Sequence, residues 1–321
     1  MSLSDILVVA DTDRGAITDI TPQLLTAARQ LADATGGQVV GVVLAGDANV
    51  IAEQLTGADR VIAVSDPLLT EFSPEPRLAA LEEVIRGEGP RAVLFGSTST
   101  WLDLAPTLAA RASWPIVWGV TKNSISDSAV IVTANFCAGK MLAQVEITAS
   151  PALLLVLSGG FPPTEDGRQP EIQAVSPSVP LAEDAVRFVE MILPDASDVD
   201  ITQQDVLVAV GRGIGQEDNL EIAEELAEKL GGELCASRPV VDQGWLPTTR
   251  QVGKSGMRVK PKCYFALGIS GAPEHVEGMT DSELIIAVNK DPQAPIFEVA
   301  DYGVVGEYED VVSAINEAIE S

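Results

Sequence analysis

The chain has 321 residues, 46% of them apolar, enough for about two domains with cores of their own and too apolar for wholesale disorder. Acidic residues number 47 and basic residues 20, a formal charge of −27, and only seven of the bases are lysines. Such an excess argues against a nucleic-acid partner and against docking on anionic lipid, and it points to a salt-loving source in which like charges are screened. No apolar run approaches the roughly 18 residues of a membrane span; the longest, Ala152 to Leu157, suits a buried strand. The first basic residue is Arg14, so a secretory signal is not expected. Cys137, Cys235 and Cys263 are too few and too scattered for a disulfide framework or a CxxC metal site, and a lone His275 excludes two-histidine chemistry. A cytoplasmic protein with no metal and no membrane insertion is the expectation.

In chain order, Ile6 to Ala10 reads as an apolar strand. Pro22 to Ala34 carries Leu24, Leu25, Ala28 and Leu31 at helical spacing, and Gly36-Gly37 stops it. Strands at Val39 to Leu44, Arg60 to Val64 and Ala92 to Phe95 alternate with helices near Val50 to Leu55, Leu78 to Ile85 and Leu102 to Ala112. This rhythm predicts a parallel sheet with covered faces. Ala129 to Thr133, Met141 to Ile147 and Ala152 to Leu157 follow with short connections, which predicts an antiparallel addition. Phe161 to Pro180 is rich in proline, glycine and polar residues and reads as a loop or strap.

The acidic stretch Leu193 to Asp200 marks the expected domain boundary, giving domains 1–193 and 194–321. A second βα series starts at Val206 to Val210. Its helix, Asn219 to Leu230, keeps Glu221, Glu224, Glu225 and Glu228 on the wet side. Glu233 to Ala236, Tyr264 to Leu267 and Leu284 to Val288 are further strands, and Glu309 to Ile319 is a closing helix. The fold class is therefore α/β in two domains, the first βαβ with an antiparallel addition and the second built on a parallel sheet.

Three glycine turns stand out in the second half. Gly211-Arg212-Gly213 follows a strand and precedes a helix, where backbone amides can approach an anion. It lacks the full dinucleotide spacing, and a tight turn would use the same residues. Gln251-Val252-Gly253-Lys254-Ser255-Gly256 is the second and Gly268-Ile269-Ser270-Gly271 the third. Turns after several strands converge on the carboxyl edge of a sheet, where α/β folds bind nucleotides. From Arg238 to Lys262 the chain carries six bases and one acid, net +5 in 25 residues. A solvated basic face would explain this, but in so acidic a protein it also suits a bound anion. No Walker A loop is present.

At these residues the second half resembles the alpha subunit of electron-transfer flavoprotein. The matching stretches are Gly211-Arg212-Gly213, Ala236 to Gly244, Gln251 to Gly256, Gly268 to Met279, Ile286 to Asp291 and Ala294 to Gly303. The first 190 residues match only in architecture and size. The resemblance implies a carrier rather than an enzyme. Its second domain would be the FAD-binding domain, and its first would contact an electron-transfer flavoprotein beta subunit. Arg212, Ser237 and Arg238 would lie by the flavin ring. Gln251, Val252, Gly253, Lys254 and Ser255 would line the flavin and its ribityl chain. Ser270, Gly271, Ala272, Pro273, Glu274 and His275 would wrap the pyrophosphate and the pyrimidine end of the ring. Asn289 and Asp301 would hold the adenosine, and Tyr302 would be a further cofactor-binding residue. Ser255 stands where the family usually has threonine, and Glu274 where it has glutamine. The resemblance further implies electron donors that are acyl-CoA or other flavin dehydrogenases, as in fatty acid beta-oxidation. The acceptor would be a membrane-bound quinone oxidoreductase. An electron-bifurcating, NADH-oxidising complex is the alternative, and the flavin count per heterodimer separates the two.

Overall fold

The computed structural model describes residues 4–137, 141–164, 166–178, 181–182, 185–186, 188–190 and 199–319. The chain divides into two compact units, Met1–Glu190 and Met191–Ser321. The expected boundary at 193/194 falls on residues 191–198, outside the described ones.

The first unit holds β1 (Ile6–Val9), a small hairpin of β2 (Thr12–Asp13) and β3 (Ala16–Ile17), α1 (Ile20–Thr35), β4 (Val39–Ala45), α2 (Ala48–Ala52), β5 (Arg60–Ser65), α3 (Pro74–Glu88), β6 (Ala92–Gly96) and α4 (Ser99–Ala112). It continues through β7 (Ile116–Ser126), β8 (Ala129–Phe136), β9 (Met141–Ile147), β10 (Ala152–Val156) and β11 (Glu171–Val175). One nine-stranded sheet runs β11-β5-β4-β1-β6-β10-β7-β8-β9. Helix α1 turns Leu24, Leu25, Ala28 and Leu31 into the core and ends where Gly36 adopts φ 69°, a left-handed conformation that glycine takes without a Cβ penalty. The α3 N-terminus has Pro74, whose fixed φ suits a first helical turn.

The antiparallel addition has three strands, as in the sequence reading, but not the same three: β7, which that reading does not mark as a strand, stands where it has β10. Only β7, β8 and β9 form an antiparallel meander. Strand β10 lies inside the sheet, parallel to both β6 and β7. Its residues are uniformly apolar and buried, as a strand covered on both faces must be, whereas a one-face strand would alternate. The stretch Phe161 to Pro180 likewise contains a strand: β11 pairs parallel with β5 at the sheet edge. Four of its five residues are exposed, so it is held by its backbone ladder and carries no hydrophobic pattern to reveal it. Buried Arg91 ties the meander to the parallel strands, donating to the carbonyls of Ser128, Ile147 and Ala149 and to Ser150 Oγ.

The second unit comprises β12 (Val206–Val210), α5 (Leu220–Lys229), β13 (Glu233–Ser237), α6 (Arg238–Asp242), β14 (Gln251–Val252), β15 (Cys263–Leu267), α7 (Pro273–Val276), β16 (Ile285–Asn289), β17 (Tyr302–Val305) and α8 (Tyr308–Ile319). Its sheet runs β14-β13-β12-β15-β16-β17, and every pair is parallel. One face packs on α5 and α8 through Leu226, Phe265 and Val312, and the other buries Tyr264, Met279 and Ile296. Read by chain order, the strands run three, two, one, four, five, six. The order reverses between β12 and β15, and a crevice lies beside that point at the carboxyl ends of the strands.

Candidate functional site

The crevice is built first by what is missing from it. Gly213 donates its amide to the Gly268 carbonyl at 3.0 Å, and Gly211 donates to Leu267 at 2.8 Å. A Cβ on Gly213 would sit 2.6 Å from that same Gly268 oxygen, so no side chain fits between the two loops. The loop after β14 closes against α7 in the same manner. Lys254 donates its amide to the Glu274 carbonyl at 2.7 Å, and a Cβ on Gly253 would meet that oxygen at 2.9 Å. Gly253 holds φ 137°, which side chains rarely adopt.

These backbone contacts leave a cavity of about 740 Å³ at the carboxyl ends of the strands. Twelve of the residues singled out by sequence line it: Arg212, Ser237, Arg238, Val252, Gly253, Lys254, Ser255, Ser270, Ala272, Glu274, His275 and Asn289. Gln251, Gly271, Pro273, Asp301 and Tyr302 do not. Gln251 is buried beside it and donates from Nε2 to Ser255 Oγ at 3.0 Å, so the serine hydroxyl keeps its own proton for another partner. Gly271 is packed against the backbone of Ile296 and has φ 86°. Pro273 opens α7. The Asp301 carboxylate accepts from the Ile285 amide at 2.8 Å, and Tyr302 is 66% exposed on edge strand β17. The structure therefore gives Asp301 a backbone-capping role, and neither residue stands on the cavity wall.

Asp291, Ala294 and Pro295 do line it, although the sequence reading did not select them as site residues. The signal was present in the run Asn289-Lys290-Asp291: Asn289 Oδ1 accepts from the Asp291 amide at 3.0 Å, and Asn289 Nδ2 reaches the Ile269 carbonyl at 2.8 Å. Asn289 thus splices the loops after β15 and β16.

The basic window is only partly spent on the cavity. Of its six bases, Arg238 and Lys254 line the wall. Arg250 pairs with Glu233 at 2.8 Å, Lys262 with Asp205 at 2.8 Å, and Arg258 donates to the Glu277 carbonyl. Arg212, from outside the window, supplies the third cation and forms no ion pair among the described residues. Glu274 and Asp291 add two carboxylates to the same lining.

His275 is 7% exposed. Burial drives its pKa down from 6.5 to about 4, with the Val252 carbonyl pulling weakly the other way, so the ring is neutral at pH 7. Its Nε2 is 3.0 Å from the hydroxyl of Tyr264, and its Nδ1 is buried with no hydrogen-bond partner. No cluster of side chains among the described residues could hold a metal ion.

A parallel sheet in this strand order, with a glycine-walled, cation-bearing crevice at its switch point, defines a nucleotide-cofactor domain. The electron transfer flavoprotein domain matches residues 6–180, and the electron transfer flavoprotein FAD-binding domain matches residues 200–280. The electron transfer flavoprotein subunit alpha of Thermoanaerobacterium thermosaccharolyticum is 32% identical, with 98% of this chain and 97% of the relative covered. That of Bacillus subtilis is 31% identical, covering 97% and 96%. The acryloyl-CoA reductase electron transfer subunit beta of Anaerotignum propionicum is 32% identical, covering 99% and 96%. The chain belongs to the electron transfer flavoprotein alpha-subunit family. Members pair with a beta subunit. These relatives are bacterial, and the comparisons lend no support to the expected salt-loving source.

Proposed function

We propose that this chain binds FAD in the crevice of its second unit and, paired with a beta subunit, carries electrons between proteins in the cytoplasm. The donors would be flavin dehydrogenases, acyl-CoA dehydrogenases among them, and the acceptor a membrane-bound quinone oxidoreductase. The observation that carries the reading is the coincidence of the crevice with the segment that matches the FAD-binding domain. The residues present suit such a group. Glycine walls let backbone approach a pyrophosphate, and three cations offset its charge. The buried, unpartnered Nδ1 of His275 is a polar atom left for a purpose other than packing.

When bound, the flavin supplies the electron chemistry and the protein tunes it. This chain's residues would act on charge and access. Arg238 and Arg212 hold permanent positive charge at the cavity wall, which favours a ring that gains negative charge on reduction. The Ser255 hydroxyl, accepting from Gln251, is free to donate into the cavity. Lys254 has only a loose partner in Glu277, at 3.9 Å, and can turn to an anion.

The acryloyl-CoA reductase relative favours a second reading, in which the chain serves an enzyme complex instead of a free carrier. Flavin analysis of the purified heterodimer tests both. One FAD per heterodimer supports the carrier, two support a bifurcating complex, and a colourless heterodimer that takes up no FAD overturns the proposal.

A further inference from the structure

The loop that follows β14 has two sides. Gly253, Lys254 and Ser255 are cavity wall. Met257, Arg258 and Lys260 are exposed, and none of them lines the cavity. The backbone that joins the two sides is pinned. Gly253 donates its amide to the Met257 carbonyl at 3.1 Å, Met257 donates to the Gln251 carbonyl at 2.7 Å, and Val259 donates to the Gly278 carbonyl at 2.8 Å. Val259 is buried between exposed neighbours, and Met257 is 41% exposed although its backbone is held at both its amide and its carbonyl.

The charge on this loop is one-sided. From Gln251 to Lys262 there are four bases, Lys254, Arg258, Lys260 and Lys262, and no acid. Asp205 takes up Lys262 at 2.8 Å. Glu277 offsets part of the rest: its carboxylate is 3.9 Å from Lys254 Nζ, and its carbonyl accepts from Arg258 Nε at 3.2 Å. Lys260 makes no ion pair among the described residues. In a chain of net charge −27, the remainder of the surface is acidic.

An electron carrier and its partner must bring their cofactors close, so a partner has to seat on surface that borders the cavity. We infer that the outer side of this loop, Met257 with Lys260, is a docking face for a redox partner that presents acidic surface around its own cofactor. The inference rests on the flavin reading of the cavity. Charge complementarity selects the occupant. An acidic protein is repelled by the remainder of the chain and attracted here, so encounters are steered to the cavity wall. Met257 adds an apolar, adaptable contact of the kind found on surfaces that accept more than one partner.

Two haem proteins of opposite charge serve as probes of the intact heterodimer: the soluble domain of cytochrome b5, which is acidic, and cytochrome c, which is basic. Dissociation constants are read by titrating the oxidised proteins. Electron transfer is read by haem absorbance: each ferric haem takes one electron and becomes ferrous, and one fully reduced flavin is oxidised by two haems. At about 0.1 M ionic strength only charges within roughly 10 Å act strongly on a partner, and at about 1 M only those within roughly 3 Å. Cytochrome b5 should bind and react less well at the higher salt. Lys260→Glu should weaken its binding about tenfold at the lower salt, with little difference at the higher, and should tighten cytochrome c. Met257→Ala should weaken cytochrome b5 about threefold at both, because a lost apolar contact is not screened. Lys122→Glu, at an exposed lysine of the first unit, makes the same change in net charge and should move neither constant more than about twofold. Cytochrome b5 binding that strengthens with salt overturns the inference, as does an unmoved constant in Lys260→Glu or Met257→Ala, or an equal loss in Lys122→Glu. Binding to phosphatidylserine vesicles that Lys260→Glu abolishes, with cytochrome b5 unaffected, would assign the loop to a lipid surface instead. If the constants follow expectation but the heterodimer takes up no flavin, the flavin reading fails and the docking face stands; if flavin binds and the constants do not move, the docking face alone fails.

Discussion

Both units of this chain are wound on sheets whose first four strands take the order three, two, one, four, so each has a switch point between its first and fourth strands. They use it in opposite ways. In the first unit, Asp11 follows β1 and its carboxylate accepts from Thr98 Oγ1, after β6, at 2.8 Å and from Thr18 Oγ1 at 2.7 Å. Side chains there stitch the two loops together around a buried negative charge. In the second unit the equivalent loops meet backbone to backbone at Gly211, Gly213 and Gly268, and cations line the space beyond. Strand order places a crevice in both; the residues of the first two loops decide whether it is stitched or open.

The largest effect on that contrast should come from filling the open site. Gly213→Val puts a branched side chain where even a Cβ meets the Gly268 carbonyl, and flavin should no longer remain bound through gel filtration. Retention of stoichiometric flavin would show that the loops separate at little cost. Cutting the stitch is next. Asp11→Ala leaves two threonine hydroxyls without their acceptor and should destabilise the first unit by roughly 2–3 kcal/mol, read by urea unfolding, with flavin content unchanged.

The third test uses the buried histidine of the open site. Because folding lowers His275 from 6.5 to about 4, the unfolded chain binds the extra proton between those values. Stability from this residue is complete above pH 6.5 and is lost as pH falls toward 4, amounting to roughly 2 kcal/mol between pH 7 and pH 5. His275→Gln should flatten that part of the pH profile; an unchanged slope would assign it to carboxylates. The smallest effect is expected at Arg238, which is exposed and shares its charge with Asp242 at 3.4 Å. Arg238→Ala should lower the flavin reduction potential by about 1 kcal/mol equivalent, the value of a solvent-facing charge at close range, and Arg238→Lys by less. If Arg238→Ala instead loses FAD with the potential of retained flavin unchanged, the arginine clamps phosphate.

Much of this contrast is legible in the sequence. The βα alternation and the glycine turns mark both sheets and the open crevice, because apolar runs and glycines act locally. Asp11 is not legible as a stitch, since its partners lie 7 and 87 residues away. The basic window misleads in part, because charge counts do not show that Arg250 and Lys262 turn to Glu233 and Asp205. Nor does the intact family motif at Asp301 show that its carboxylate accepts from the Ile285 amide. The apolar run of β10 announces burial without saying between which strands, because register is a property of the whole sheet.

That central position of β10 governs the order in which the first unit can be built. On the ribosome, β6 and β7 emerge well before the strand that joins them, and β5 waits some hundred residues for β11. Until residue 156 has appeared, the middle of the sheet is two open edges of apolar backbone, and the parallel pairings that close them span long loops. A chain cut after the meander keeps every helix of this unit and every residue of its Asp11 stitch, yet lacks the strand that makes one sheet of two.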